Sequence, residues 1–175
     1  MYQIRKATIN DAKTIAEVYV HSWKATYKDL INEQDVSNTT VEYHQVYWET
    51  ILKLSRKQQP VSVIEVEGDI VGFIAGGKER TERFGFDGEI SAIYLLPDYQ
   101  GKGFGKKLLK AFAEEMQELN YNSLLIWVLT NNPTHHFYLR LGAEKIEQEQ
   151  TTIGTGTYQE TAYGFPSITA LLEKL

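Results

Sequence analysis

The chain has no cysteine among its 175 residues, which excludes disulfide stapling, a thiolate zinc site and a cysteine-bound acyl intermediate. Only 4 prolines occur, and no Pro-, Gly- or Ser-rich linker divides the sequence. The 4 histidines offer no metal spacing, because His135 and His136 are adjacent while His21 and His44 stand alone. Basic charge is not in excess: 18 Lys and Arg against 23 Asp and Glu give a formal charge of -5. With the two signs interspersed, broad binding to nucleic acid or an anionic membrane is disfavoured. No apolar run approaches the roughly eighteen residues of a membrane span, and Met1–Lys6 has no signal-peptide core, so the expected location is the cytoplasm. A Gly-x-Ser-x-Gly nucleophile elbow is also missing, which removes one common hydrolase arrangement.

What remains is 42% hydrophobic and 12% aromatic, enough for one compact domain over residues 1–175 with its own core. The pattern alternates between helix and strand. Tyr2–Ala7 reads as a strand, and Thr8–Asp11 as the cap of a helix carrying Ile15, Val18, Tyr19 and Ser22. Val41–Leu54 places Val46, Tyr47, Ile51 and Leu54 at helical spacing. Val61–Val66 and Ile70–Ala75 flank Glu67-Gly68-Asp69 as a hairpin. A loop at Glu79–Asp87 precedes a buried strand at Glu89–Leu96. Lys106–Leu119 carries Leu108, Leu109, Phe112, Met116 and Leu119 on one helical stripe, and Leu124–Leu129 is another buried strand. A short helix at Pro133–Leu141 ends at Gly142, and Lys145–Thr152 with Thr157–Phe165 suggests an antiparallel pair.

Gln100-Gly101-Lys102-Gly103-Phe104-Gly105 lies between the buried strand and the amphipathic helix. Glycines without a Cβ let backbone approach a ligand, and the free N–H groups of a helix's first turn favour an anion, so the turn points to a phosphate-bearing cofactor. A dinucleotide fingerprint would need glycine where Lys106 stands and an acidic residue where Asn120–Ser123 runs. A P-loop would need glycine in place of Gln100 and Ser or Thr in place of Lys107.

The remaining pattern, Gln-x-x-Gly-x-Gly, has Ile93-Tyr94-Leu95-Leu96-Pro97 before it and Lys106-Lys107-Leu108-Leu109 after it. It resembles the signature turn of the GCN5-related N-acetyltransferase family, and the element order agrees over nearly the whole chain. The resemblance implies an α/β fold: a mixed, mostly antiparallel sheet with flanking helices and a parallel central pair made by the fourth and fifth strands. It implies acetyl-CoA as co-substrate and no metal. The pyrophosphate is expected on Gln100, Gly101, Lys102, Gly103, Phe104, Gly105 and Lys106. The pantetheine arm is expected along Ile93, Tyr94 and Leu95, paired as an added strand.

Asn131–Gly142 resembles the family's segment of Asn, Phe-Tyr and Leu-Gly, which implies Tyr138 as general acid and Asn132 as a cofactor contact, with Asn131 the adjacent alternative. A phenol near pKa 10 facing a thiol near 8.5 needs only a modest push from its surroundings. Gly142-Ala143 departs from the family's frequent Gly-Phe and puts in doubt the packing beneath the next strand. Glu89, eleven residues before Gln100, matches the position of a general base in histone-type members; Tyr94, Ser91 and Glu160 are substitutes. The acceptor site is expected to use Trp23, Tyr27 and Phe84, with His21, Phe86 and Tyr158 nearby. The implied reaction is direct transfer of an acetyl group to a primary amine of a small molecule or peptide, with a homodimer as a family-level expectation. The alternatives are a CoA-binding sensor without catalysis and a scaffold that docks a partner on its N-terminal helices.

Overall fold

The computed structural model describes residues 1–54 and 58–175. Seven strands form one sheet in the order β1-β2-β3-β4-β5-β7-β6. The strands are β1 (Tyr2–Lys6), β2 (Val61–Val66), β3 (Asp69–Lys78), β4 (Gly88–Leu95), β5 (Leu124–Leu129), β6 (Glu144–Ile153) and β7 (Gly156–Phe165). Every neighbouring pair is antiparallel except β4 and β5. The exception follows from connectivity, since a helix of fifteen residues, α4 (Phe104–Glu118), carries the chain from β4 back to the start of β5. The β2–β3 hairpin turns at Glu67 and Gly68, both at positive φ, the geometry that suits a two-residue connection.

Helices cover both faces of the sheet. On one side lie α1 (Ala12–Tyr27), α2 (Glu33–Ser37) and α3 (Val41–Lys53); on the other lie α4, α5 (His135–Arg140) and α6 (Ile168–Lys174). The expected α4 stripe is present: Leu108, Leu109, Phe112 and Met116 are fully buried against Ile64, Ile74, Ile90 and Leu124. Ala143, where the family often has Phe, joins this same core, and α6 brings Ile168 and Leu171 into it. Among the described residues no helix is long and apolar enough to cross a membrane.

Two sequence expectations need correction, and two short helices went unanticipated. The cofactor-turn helix begins at Phe104, two residues before Lys106, because Gly103 takes a left-handed φ of 85° and serves as its N-cap. The α3 stripe is rotated from the one expected. Trp48 is the buried residue, packed 5.0 Å from Phe73, while Val46, Tyr47 and Leu54 are exposed. As an outer helix, α3 seals only one narrow face, and that face is centred on the tryptophan. Finally, α2 and α6 are too short to leave a periodic signal; α6 is set by Ser167, whose hydroxyl accepts from the Ala170 N–H at 3.1 Å.

Candidate active site

The site begins where two parallel strands part. Gly88, Glu89 and Ile90 pair with Leu124, Leu125 and Ile126, and the β4–β5 ladder stops there. Its start is held by Asp87, whose carboxylate accepts the N–H groups of Asn122 and Ser123 and the Ser123 hydroxyl, the last two at 2.9 Å. Its end coincides with a bulge. Ala92 faces Ala75 and Ile90 faces Gly76 on β3, so Ser91 is the extra residue. Gly76 opposite the bulge has no room for a side chain, since a Cβ there would lie 2.1 Å from the Glu89 carbonyl oxygen. Beyond Ile90 no strand among the described residues pairs with β4 on the β5 side.

A cavity of about 490 Å³ fills the resulting gap. One wall is Ser91, Ala92, Ile93, Tyr94 and Leu95; the other is Ile126, Trp127 and Val128. Thr26 and Tyr27 of α1 close one side, and Asn132, Thr134, Phe137 and Tyr138 close another. At its mouth lie Gln100, Gly101, Gly103, Gly105 and Lys106. Gln100 donates from Nε2 to the Leu95 carbonyl at 3.0 Å, pinning the turn to the strand end. Gly101 and Gly103 have φ of 74° and 85°, and no atom lies within 4 Å of where their Cβ atoms would be. Glycine is therefore required there by conformation, and the same absence leaves the backbone open to a ligand. Since Gly103 has no side chain to cap α4, the first N–H groups of the helix face the mouth uncapped.

Two residues expected in this cradle lie outside the cavity lining. Lys102 sits over the Tyr99 ring at 5.7 Å. Phe104 packs edge-on to Tyr2 at 5.8 Å and anchors the start of α4 to β1.

At the inner end Tyr138 is 3% exposed, and burial pushes its phenol well above the ordinary range, with Tyr27 adding to the effect. Tyr138 lines the cavity, so a protonated phenol is presented to it. Burial also raises Tyr27, against the polar influence of the Tyr94 and Asn132 side chains. Asn132 and Asn131 separate cleanly. Asn132 is buried in the cavity lining and accepts from the Thr134 N–H at 3.0 Å, whereas Asn131 is exposed on another surface depression.

Glu89 lies outside the cavity lining. Its buried carboxylate is bound by Arg80, through Nη2 at 2.7 Å, Nε at 3.1 Å and the backbone N–H at 3.2 Å. Phe84 packs 6.1 Å from Trp127, with the Arg83 guanidinium 4.7 Å over its ring. Trp23 packs 5.1 Å from Tyr27 and lines a neighbouring depression. Sequence alone gave no role to Trp127, or to Arg80 in the loop Glu79–Asp87. Trp127 could have been found as the one aromatic in the aliphatic run Leu124–Leu129; Arg80 gives no local signal.

The chain is similar to known proteins over most of its length. The profile of the Acetyltransferase (GNAT) family matches residues 19–143. The uncharacterized N-acetyltransferase YuaI of Bacillus subtilis is 33% identical over 172 residues, covering 98% of this chain and 96% of its own. The L-amino acid N-acyltransferase MnaT of Escherichia coli is 29% identical, over 79% of this chain and 77% of its own. The spermidine N(1)-acetyltransferase of Thermoplasma acidophilum is 25% identical, over 92% and 97%. Among solved structures, the PaiA N-acetyltransferase of Thermoplasma acidophilum in complex with coenzyme A superposes with a TM-score of 0.75 at 22% identity, covering 94% of this chain and 99% of its own. The chain belongs to the GCN5-related N-acetyltransferase family of acetyl-CoA-dependent acyltransferases.

Proposed function

We propose that the protein transfers an acetyl group from acetyl-CoA directly to the primary amine of a small molecule or peptide. The observation that carries this reading is the continuity of one cavity from a glycine turn at a helix start, along an unpaired strand edge, to a buried tyrosine hydroxyl. The relatives named for L-amino acids and spermidine support a small-molecule amine.

In this reading the backbone of Gly101 to Lys106, with Gln100 shaping the turn, binds the pyrophosphate; Lys102 and Lys106 add positive charge, and Phe104 fixes the helix. The free edge at Ile93, Tyr94 and Leu95 pairs with the pantetheine amides, and Asn132 contacts the same arm. The bound thioester supplies an activated acetyl group. A β4 backbone N–H polarises its carbonyl, a neutral amine forms the C–N bond as the C–S bond breaks, Tyr138 gives its hydroxyl proton to the departing sulfur, and the proton shed by the acetylated nitrogen passes through solvent water and restores the phenol. Burial raises the phenol, away from the thiol's ordinary range, so it stays protonated throughout the neutral range but is a weaker acid; a thiolate released into the same apolar surroundings is raised as well, which narrows the gap. Trp23, Tyr27 and Phe84 bound the acceptor side. Glu89, the expected base, is committed to Arg80, and we assign it to positioning that rim.

Acetyl-CoA should raise the melting temperature, and thiol release should depend on an added amine. Tyr138→Phe should keep the acetyl-CoA stabilisation and lose roughly a hundredfold or more in kcat. Stabilisation without amine-dependent thiol release from the wild type would identify a CoA-binding sensor instead.

A further inference from the structure

Beside the acceptor end of the cavity, outside its immediate lining but close enough to Tyr27 to act on it electrostatically, stands a carboxylate with no part in the proposed reaction. Glu160 on β7 lies directly across from Leu129 on β5, two pairs beyond the Trp127–Ala162 pair. Side chains of paired neighbours share a sheet face, so Glu160 stands on the same face as Trp127 and Leu129. Leu129 packs with Trp23, Tyr27 and Tyr94, and Trp127, Tyr27 and Tyr94 line the cavity. Glu160 is half-buried at that corner, opposite Glu149 on its other side, and its carboxylate makes no hydrogen bond or ion pair among the described residues.

The charges around it are already matched. Arg80 is bound to Glu89 at 2.7 Å, and Arg83 grips Glu149 with two contacts of 2.7 Å. Glu79 is satisfied by the Thr81 N–H and hydroxyl and by the Glu82 N–H. Each arginine already has a carboxylate partner, whereas Glu160 has no cation in contact and feels Arg80 only at longer range. Burial raises Glu160 first, then Glu149, with Arg80 opposing and Glu89 adding to it; a bound cation would reverse that direction.

We infer that Glu160 is the ammonium-binding, specificity-determining residue of the acceptor site, and that the acceptor is an aliphatic di- or polyamine without a carboxylate. The inference rests on the acetyl-transfer reading for the location of the acceptor. A second ammonium placed between this carboxylate and the Trp127 ring gains a charge-assisted hydrogen bond and a cation–π contact. A carboxylate in the same place meets Glu160 and finds both arginines occupied, which disfavours free amino acids.

The test is calorimetric titration of 1,4-diaminobutane and 4-aminobutanoate into the CoA-loaded protein at fixed ionic strength, for the wild type and Glu160→Gln. The pair matches in length and differs in the charge of one end. The diamine should bind the wild type at least about tenfold more tightly, the scale of one hydrogen bond to a charged group, and Glu160→Gln should abolish that preference while keeping CoA affinity. A general structural defect would weaken both ligands and CoA together and leave the ratio intact. Equal affinities in the wild type, or a preference that survives Glu160→Gln, would overturn the inference. A protein that failed to bind CoA would overturn the donor reading, and the same ratio measured without CoA would still decide on Glu160.

Discussion

Gly101, Gly103 and Gly105 look equivalent in sequence and are not equivalent in physics. The first two adopt left-handed φ in open space, so an added Cβ meets no atom and is strained by conformation alone. Gly105 has no such φ, and its Cβ would make ordinary contacts of 3.9 Å with Leu95 and Phe137. Gly103→Ala should therefore lower stability by about 1 kcal/mol or more, whereas Gly105→Ala should leave chemical denaturation within about 0.5 kcal/mol of the wild type. Any loss of acetyl-CoA affinity in Gly105→Ala then reports on room for the ligand, and parallel titration separates the two effects. The glycine register was legible because the backbone requirement is local. Asn131 and Asn132 were not distinguishable by spacing, since burial of one and exposure of the other depends on how the loop meets β7. Glu89 was legible as a charged residue on a buried strand; its commitment to Arg80 depends on a loop folding back over nine residues and leaves no periodic trace.

At the scale of elements, α4, β5 and the hairpin were readable because each has one dominant face or an obligatory turn. The helix α3 was misread because its sequence carries two apolar rows and only contact with the sheet selects one. Trp48 meets Phe73 and Tyr19, while Val46 and Tyr47 point to solvent. Trp48→Ala should cost about 3–5 kcal/mol, and Val46→Lys should change stability by less than about 0.5 kcal/mol. Urea unfolding of the two variants tests the corrected face, and a larger loss from Val46→Lys would restore the row expected from sequence. The β4 bulge was equally hidden: nothing in Ile90-Ser91-Ala92 marks an extra residue, although Gly76 across from it is the complementary requirement. That irregularity is what ends the parallel ladder and makes the cavity, so the most functional feature of the sheet was its least legible one.

For the whole molecule, titration ties stability to the same geography. Asp11 is held below the usual carboxylate range by Arg5, whose hydrogen bond outweighs burial. Asp87 would be raised by burial, but the Asn122 and Ser123 donors prevail and its value falls. Carboxylates depressed in the folded state stabilise it above their unfolded pKa, and that contribution is lost as pH falls through the folded values, so these two residues predict acid unfolding below about pH 4. Glu160 runs the other way. Its folded value is raised, chiefly by burial and then by Glu149, so its effect is absent from the cost side below the unfolded pKa and becomes a penalty as pH rises through the folded value. At neutral pH the protein thus carries an unpaired carboxylate that works against folding. Glu160→Gln should raise the melting temperature at pH 7, by less than about 1 kcal/mol in stability after solvent screening, and the gain should vanish near pH 4. A diamine bound to the wild type should recover the same stability without the substitution, because it supplies the missing cation. If Glu160→Gln instead destabilised the protein at pH 7, the carboxylate would have a structural partner in solution, and its assignment to acceptor recognition would fall.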